Sequence, residues 1–242
     1  MPSSIGIHLD TCDGQRLPRT LASAIAERLR GEILTAVLLP GQKLHIAILA
    51  KRFSVSLAAV REALSRLVTD GIVQSLDQRG FRVSPVSSAD LRDLTRTRIE
   101  IEGLALRRAM AEGGPEWEAA VESAFAALSV LPRLGAEQPE RHNEAWASQH
   151  RRFHQALVGA CGSAWLLRLR HVLYEQSERY RRLSIPLETR ERDVEAEHLR
   201  LMEAALARDE SAALAALAEH FQRTTDIILA ADVALLREPL AA

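Results

Sequence analysis

Apolar residues recur every three or four positions through most of this chain, a spacing that predicts amphipathic helices and a mainly α-helical fold. The first such pattern covers about residues 20–35, with Thr20 in place to cap the start of the helix. A short second helix is predicted over 46–53, and a third over 57–71, where Gly71 ends the pattern. The runs IVQSL and FRVSP then have the composition of β-strands, and the DQRG between them predicts a hairpin.

Three helices followed by a hairpin is the order of a winged helix-turn-helix, in which the helix after the tight turn enters the major groove of DNA. The predicted contact residues lie at the turn, on the outer face of the third helix and at the wing tip: Ser54, Ser56, Leu57, Ala58, Arg61, Ser65, Gln78, Arg79 and Gly80. Arg61 alone fits a solvated helix arginine equally well. Its place among these small and polar residues favours DNA contact.

A second domain is predicted after the short polar hinge PVSSAD. The rest of the chain is helical in about six segments, broken at GGPEW, LPRLGAEQPER, CGS, SIPLET and ARDESA. We therefore expect a winged helix-turn-helix domain over residues 1–86 and an all-helical antiparallel-bundle domain over residues 87–242.

Charge is divided unequally between the two predicted domains. Residues 1–86 hold 11 Lys+Arg against 7 Asp+Glu, whereas the remainder holds 20 against 25. A basic small half joined to an acidic large half indicates that only the first meets a polyanion. The two cysteines form no zinc-type pair, and the sequence shows neither a signal peptide nor a long apolar run. The expectation is a soluble cytoplasmic protein that does not enter a membrane.

Two charged residues fall on the apolar stripe of the helix predicted over 88–111. Arg98 and Glu102 lie one turn apart among leucines, isoleucine and alanines. An unpaired buried charge is costly, so these residues must either pair with each other or face a polar cavity. Both alternatives remain open at this stage.

Four of the eight histidines fall on the inner stripes of three predicted helices. They are His150, His154, His198 and His220. One such residue is more often a hydrogen-bonded core histidine, but buried imidazoles need partners, and a single metal ion satisfies several at once. A zinc hydrolase of the H-E-x-x-H type is disfavoured, because Arg151 stands where the glutamate base would be.

The segment LLPGQKLHIAILAKRFSVSLAAVREALSRLVTDGIVQSLDQRGFRV resembles the DNA-binding domain of the GntR family of bacterial transcription regulators. The motifs PG-x-x-L, VS-x-x-x-VREAL-x-RL and DG-I/L-V carry the resemblance. The helical remainder resembles the ligand-binding domain of the FadR branch, and the likeness extends from Leu21 to about Ile228. The sequence departs from the family pattern at Ile46, Ala47 and Leu57, which leaves the operator sequence open.

The resemblance implies roles for the inward polar residues. In the family, the arginine of R-x-x-x-E is directed at the ligand, often at its carboxylate, which implies that role for Arg98, with Glu102 completing the motif. The helical part of the sequence is also similar to the metal-containing sensor domains of the FadR branch, in which one aspartate and three histidines hold the ion. The resemblance assigns His154, His198 and His220 as ligands, with His150 in the aspartate position. Such an all-imidazole set suits zinc, nickel or copper, whereas a His150 turned away would leave an open three-histidine site.

The runs CGSAWLLRL and QSERYRRLS resemble regulators of dicarboxylate catabolism such as the glutarate-responsive repressors. Tyr180 is expected to face inward beside Gln176 and to donate a hydrogen bond to a ligand oxygen. The alternative for the surrounding arginines is a solvated basic face.

Taken together, these features predict a ligand-responsive, DNA-binding transcription regulator and not an enzyme. We expect a homodimeric repressor that binds a pseudo-palindromic operator and is released by a small carboxylate, possibly a dicarboxylate. A divalent transition metal, zinc or nickel, is the expected cofactor. The alternatives are a metal-dependent hydrolase, and a regulator whose metal is purely structural or whose metal-free pocket binds an acyl ligand.

Overall fold

The computed structural model describes residues 20–76, 79–135, 143–184 and 192–230, and these form nine helices and three strands. The helices are α1 (Leu21–Leu34), α2 (Ile46–Phe53), α3 (Leu57–Thr69), α4 (Ser88–Glu112), α5 (Pro115–Ser129), α6 (Glu144–Leu157), α7 (Ala164–Ser184), α8 (Val194–Leu206) and α9 (Glu210–Ala230). The strands are β1 (Lys43–Leu44), β2 (Val73–Leu76) and β3 (Gly80–Val83). The prediction of a mainly helical protein with an N-terminal winged helix-turn-helix is confirmed.

Side-chain caps mark the starts of α1 and α3. The Thr20 hydroxyl accepts from the Ser23 amide at 3.2 Å, and the Ser56 hydroxyl accepts from the Ala59 amide at 3.2 Å. Between α2 and α3 the chain turns through Ser54, whose φ of 55° is in the left-handed region. Helices α1 to α3 and the sheet share one apolar core. This core includes Leu29, Val60, Leu64, Leu67 and Phe81.

The wing is a three-stranded antiparallel sheet in the order β1-β3-β2. The predicted hairpin of β2 and β3 is present, with Val73 opposite Val83 and Leu76 opposite Gly80. Strand β1 was not predicted. It has only two residues, of which Leu44 lies opposite Phe81, and two residues are too few to show an alternating pattern.

Helices α4 to α9 form the second domain, and they correspond to the six or so helical segments predicted from the sequence. Helix α4 packs against α7 and α9, α5 packs against α6, and α8 packs against α9. Their shared core includes Leu106, Val121, Phe153, Leu201 and Leu217. The inner faces of α6, α8 and α9 thereby converge on the centre of the domain.

Helix α7 is also the element that contacts the first domain. The Gln176 side chain donates to the Asp70 carbonyl at 2.8 Å, and Arg179 donates to the Ser84 carbonyl and to the Pro85 carbonyl. Arg30 of α1 adds an ion pair with Glu175. One helix therefore lies against both domains.

None of the described helices combines the length and the apolar character needed to cross a membrane.

Candidate functional site

Four histidine side chains meet in the core of the second domain. His150 and His154 lie one turn apart on α6, His198 lies on α8 and His220 on α9, and each is at most 5% exposed. Each offers one ring nitrogen within 4.8 Å of the nitrogens offered by the other three. The 3.6-residue period of the three helices thus brings together residues that are distant in sequence.

The hydrogen bonding of the imidazoles fits a metal site. Nδ1 of His220 lies 2.7 Å from a carboxylate oxygen of Glu197, which is itself held by Arg192 at 2.8 Å. Nδ1 of His150, both ring nitrogens of His154 and Nε2 of His198 have no hydrogen-bond partner among the described residues. Buried polar atoms without partners are costly, and a single transition metal ion such as zinc would satisfy several of these nitrogens. The chain can therefore hold such an ion here.

Burial controls the charge of this cluster. It lowers the pKa of His150, His154 and His198 well below the ordinary imidazole value, and positive neighbours lower these pKa values further. Burial also lowers the pKa of His220, although the adjacent Glu197 opposes the change. Near neutral pH the imidazoles are uncharged, the form in which histidine donates a lone pair to a metal.

Glu197 is a feature that the sequence analysis missed. Its carboxylate is 2% exposed and also lies 3.2 Å from Arg223. Burial alone would raise the pKa of Glu197, but hydrogen bonds from His220 and Arg192 hold it well below its usual value. A carboxylate bonded to the outer nitrogen of a metal-binding histidine fixes the ring's orientation. Its position next to His198 in sequence was the available signal.

A small cavity adjoins the cluster. His150 and His220 line it, together with Arg98 of α4 and with Ser177 and Glu178 of α7. Leu91, Leu94, Phe221 and Ile228 supply most of the apolar lining. Its volume is about 30 Å³, space for roughly two water molecules.

Arg98 and Glu102 form the internal pair that the sequence left as one alternative. Nε of Arg98 donates to Oε1 of Glu102 at 2.5 Å, and Nη1 donates to the Ser177 hydroxyl at 2.9 Å. Arg98 also faces the cavity, so the two alternatives are not exclusive. Glu102 does not line that cavity. Its other oxygen accepts from Nε of Arg170 at 3.1 Å, a contact that the sequence analysis did not anticipate.

Tyr180 lies at the cavity, but its hydroxyl is bonded elsewhere. The ring is 1% exposed and lines the cavity, whereas the hydroxyl lies 2.5 Å from the Asp90 carboxylate and accepts from the Ser87 amide. The expected donation to a ligand oxygen therefore does not fit this geometry. Gln176, expected beside it on the inner face, instead contacts Asp70 of the first domain.

A buried ion pair on α7 completes the cavity wall. Nε of Arg181 donates to Oε1 of Glu178 at 2.6 Å. Burial would raise the pKa of Glu178, but the charge and hydrogen bonds of Arg181 lower it to about 2. Glu178 is therefore ionised and balanced by Arg181, and this pair adds little net charge to the cavity.

The described residues among those predicted to contact DNA are all at least partly exposed in the first domain. Leu57, Ala58, Arg61 and Ser65 are exposed on α3, Ser54 and Ser56 are exposed at the turn before it, and Arg79 and Gly80 lie at the wing; Gln78 is outside the described residues. Within the described part of the chain, Arg61 makes no hydrogen bond or ion pair. Arg66, one turn further on, donates to Glu62 at 2.7 Å and to Ser23. Arg61 is thus the arginine of α3 left available for a phosphate or a base.

Comparison with known proteins assigns each half of the chain to a family model. Residues 21–83 match the model of bacterial regulatory proteins of the gntR family, and residues 93–223 match the FCD domain. The chain is 42% identical over 210 residues to the HTH-type transcriptional regulator BphR of Paraburkholderia xenovorans, with 87% of this chain and 86% of that protein covered. It is 34% identical over 205 residues to the HTH-type transcriptional repressor GlaR of Escherichia coli, covering 83% and 92%.

Solved structures share the same fold. Escherichia coli McbR/YncC superposes with a TM-score of 0.71 at 23% identity, over 88% of this chain and 99% of that one. A putative GntR transcriptional regulator from Rhodococcus sp. RHA1 gives a TM-score of 0.69 at 20% identity, over 87% and 98%. These similarities support the arrangement of a winged helix-turn-helix followed by a helical domain.

Proposed function

The chain belongs to the GntR family of bacterial regulatory proteins and carries an FCD domain. We propose that it is a repressor released from its operator by a small carboxylate. As a member of that family it is a DNA-binding transcription regulator and not an enzyme, so the hydrolase alternative is excluded. The similarity to GlaR, whose name describes a repressor, supports repression rather than activation. A regulator that acts on a chromosomal operator works in the cytoplasm, and we propose that location for this protein.

The proposed DNA-binding unit is residues 1–86, and the proposed sensor and dimerisation unit is residues 87–242. Arg61 supports the first assignment, because it is exposed on α3 without a partner in the described chain. A single winged-helix unit presents one recognition helix, and tight specific binding ordinarily uses two. A homodimer on a pseudo-palindromic operator supplies the second.

One observation carries the effector proposal: Arg98 and two histidines of the cluster face the same buried cavity. A guanidinium inside an apolar wall binds a carboxylate strongly, because such charge-assisted hydrogen bonds are not weakened by bulk water. The cavity thus combines a cation that can hold a carboxylate with imidazoles that can hold a metal. We assign the effector to this cavity.

We further propose that His154, His198 and His220, with His150 as the fourth residue, hold one zinc or nickel ion per chain. The unpartnered ring nitrogens support this set, and Glu197 would orient His220. Held by His154, His198 and His220 alone, the ion would tie three helices together and keep an open position for an effector oxygen. Ligation by His150 as well would close the site and leave the ion a structural role. The four imidazoles are neutral, so none of them offsets the charge of a divalent ion.

The size of the cavity connects effector binding to DNA binding. A short dicarboxylate needs more room than about 30 Å³, so its binding must move part of the wall. Helix α7 supplies Ser177 and Glu178 to that wall and Gln176 and Arg179 to the contact with the first domain. A shift of α7 would therefore change how the first domain is held.

The test measures thermal stabilisation and operator release with glutarate as the probe. The operator is selected with the wild-type protein from a random DNA pool. Ligand at about 100 times its dissociation constant should stabilise the protein by roughly 2.7 kcal/mol and release the DNA. Arg98→Ala should lose both responses and keep its affinity for DNA.

Arg96→Ala is the matched control, because Arg96 is an exposed arginine on the same helix. Its responses should equal those of the wild type. Equal responses from the Arg98→Ala protein would show that Arg98 is structural and that the effector site is elsewhere.

A further inference from the structure

Two arginines of the second domain share one carboxylate. Nε of Arg98 donates to Oε1 of Glu102 at 2.5 Å, and Nε of Arg170 donates to Oε2 at 3.1 Å. All three residues are buried, with exposures of 9%, 1% and 4% for Arg98, Glu102 and Arg170. They connect the middle of α4 to the start of α7, beside the histidine cluster.

This group contains two positive charges and one negative charge. Glu102 is the only carboxylate that forms an ion pair with either arginine in the described part of the chain. Nη2 of Arg98 and Nη2 of Arg170 are both buried without a hydrogen-bond partner among the described residues. The guanidinium carbons of both also lie 5.4 Å from the centre of the Tyr174 ring. The group is therefore a buried site with one surplus positive charge.

The surplus changes what the cavity can bind. If Glu102 had Arg98 as its sole partner, the pair would be neutral and the cavity would present little charge to a ligand. Arg170 occupies the second oxygen of Glu102, so the charge of that carboxylate is divided between two guanidiniums. Arg98 then keeps a net positive charge at the cavity wall, where an anion would remove the cost of burying it.

We propose that Arg170 determines the preference of the cavity for an anion by neutralising Glu102, which leaves the positive charge of Arg98 available to the effector. Arg170 does not line the cavity, so it acts through Glu102 and Arg98 as a positioning residue. This inference rests on the proposed effector site. It narrows the ligand class to anions whose carboxylate reaches Arg98.

A purely structural role for Arg170, as a tie between α4 and α7, makes a different prediction. If Arg170 only ties α4 to α7, its loss weakens the domain whether or not Glu102 is also changed. If Arg170 acts through its charge, the effect of losing it is reversed when the opposite charge of Glu102 is removed as well. The variants Arg170→Gln, Glu102→Gln and the double variant separate these cases, because the double variant restores the wild-type net charge without restoring the ion pair.

The experiment is calorimetric titration of the full-length, metal-loaded protein with glutarate. Arg170→Gln should weaken glutarate binding by about tenfold, the change that about 1.4 kcal/mol produces. Glu102→Gln should bind at least as tightly as the wild type. The double variant should recover to within about threefold of the wild type, because the two changes act on one ion pair and their effects do not add. Arg168→Gln, an exposed position on α7, serves as the control and should bind normally.

The outcomes distinguish this inference from the function on which it rests. If glutarate and other short carboxylates do not bind the wild type, the proposed effector site is wrong and the role of Arg170 fails with it. If the wild type binds and Arg170→Gln binds equally well, the proposed effector stands and the inference is overturned. If the double variant binds glutarate as weakly as Arg170→Gln, or more weakly, Arg170 has a structural role and the inference is overturned.

Discussion

Glu197→Gln is the substitution that probes the environment of the histidine cluster most sharply. The Glu197 carboxylate lies 2.7 Å from Nδ1 of His220 and is 2% exposed. An amide of nearly the same shape keeps a hydrogen bond but loses the negative charge that raises the basicity of the imidazole. Changes of this kind around metal-binding histidines weaken metal affinity by about 10- to 100-fold, which is about 1.4 to 2.7 kcal/mol.

Competition with a chromophoric chelator measures the zinc affinity of each protein directly. The titration is made well below the melting temperature, because the change also removes the charge partner of the buried Arg192. Glu203→Gln is the matched control, since Glu203 is an exposed glutamate on the same helix. An unchanged zinc affinity in Glu197→Gln, or an equal loss in Glu203→Gln, would refute the assignment of Glu197 to the metal site.

Other expected outcomes concern DNA binding, assembly and pH. Arg61→Ala should lower operator affinity by about 1–3 kcal/mol in a fluorescence anisotropy titration, whereas Arg66→Ala should change it less; equal binding by Arg61→Ala and wild type would contradict the assignment. Operator binding should also weaken as salt rises, because phosphate contacts release counterions. Sedimentation at micromolar concentration should show a dimer, and a stable monomer that still protects both operator half-sites would oppose this. Metal-free protein should lose stability as pH falls through about 6.5, since the pKa of each clustered histidine is lowered in the folded state and the unfolded chain takes up protons first. Thermal melts across pH 5 to 8 would show the reverse trend if those histidines were charged when folded.

The sequence was sufficient for features that repeat with the period of a helix. The stripes of α1, α3 and α4 are long enough to define each helix, and capping residues such as Thr20 mark where they begin. The same periodicity placed four histidines on inner faces, because a side chain's angular position follows from its place in the helix. The meeting of these faces, however, depends on how α6, α8 and α9 pack.

Features that depend on two distant segments could not be predicted. Strand β1 forms only because β3 offers it an edge, and its two residues carry no pattern of their own. Arg170 appears in sequence as one basic residue among several on α7, and only packing against α4 makes it the second partner of Glu102. Tyr180 faces inward as expected, but its hydroxyl donates to Asp90 near the N-terminal end of α4, a partner that is distant in sequence and is supplied only by packing.

Elemental analysis of the untagged protein, purified without chelators, tests the central claim most directly. The four converging histidines predict close to one zinc or nickel ion per chain. His198→Ala and His220→Ala should each lose the metal and destabilise the second domain, whereas the exposed His171→Ala should keep it. Metal-free protein with full thermal stability and a full response to the effector would show that the four histidines are core residues without a metal.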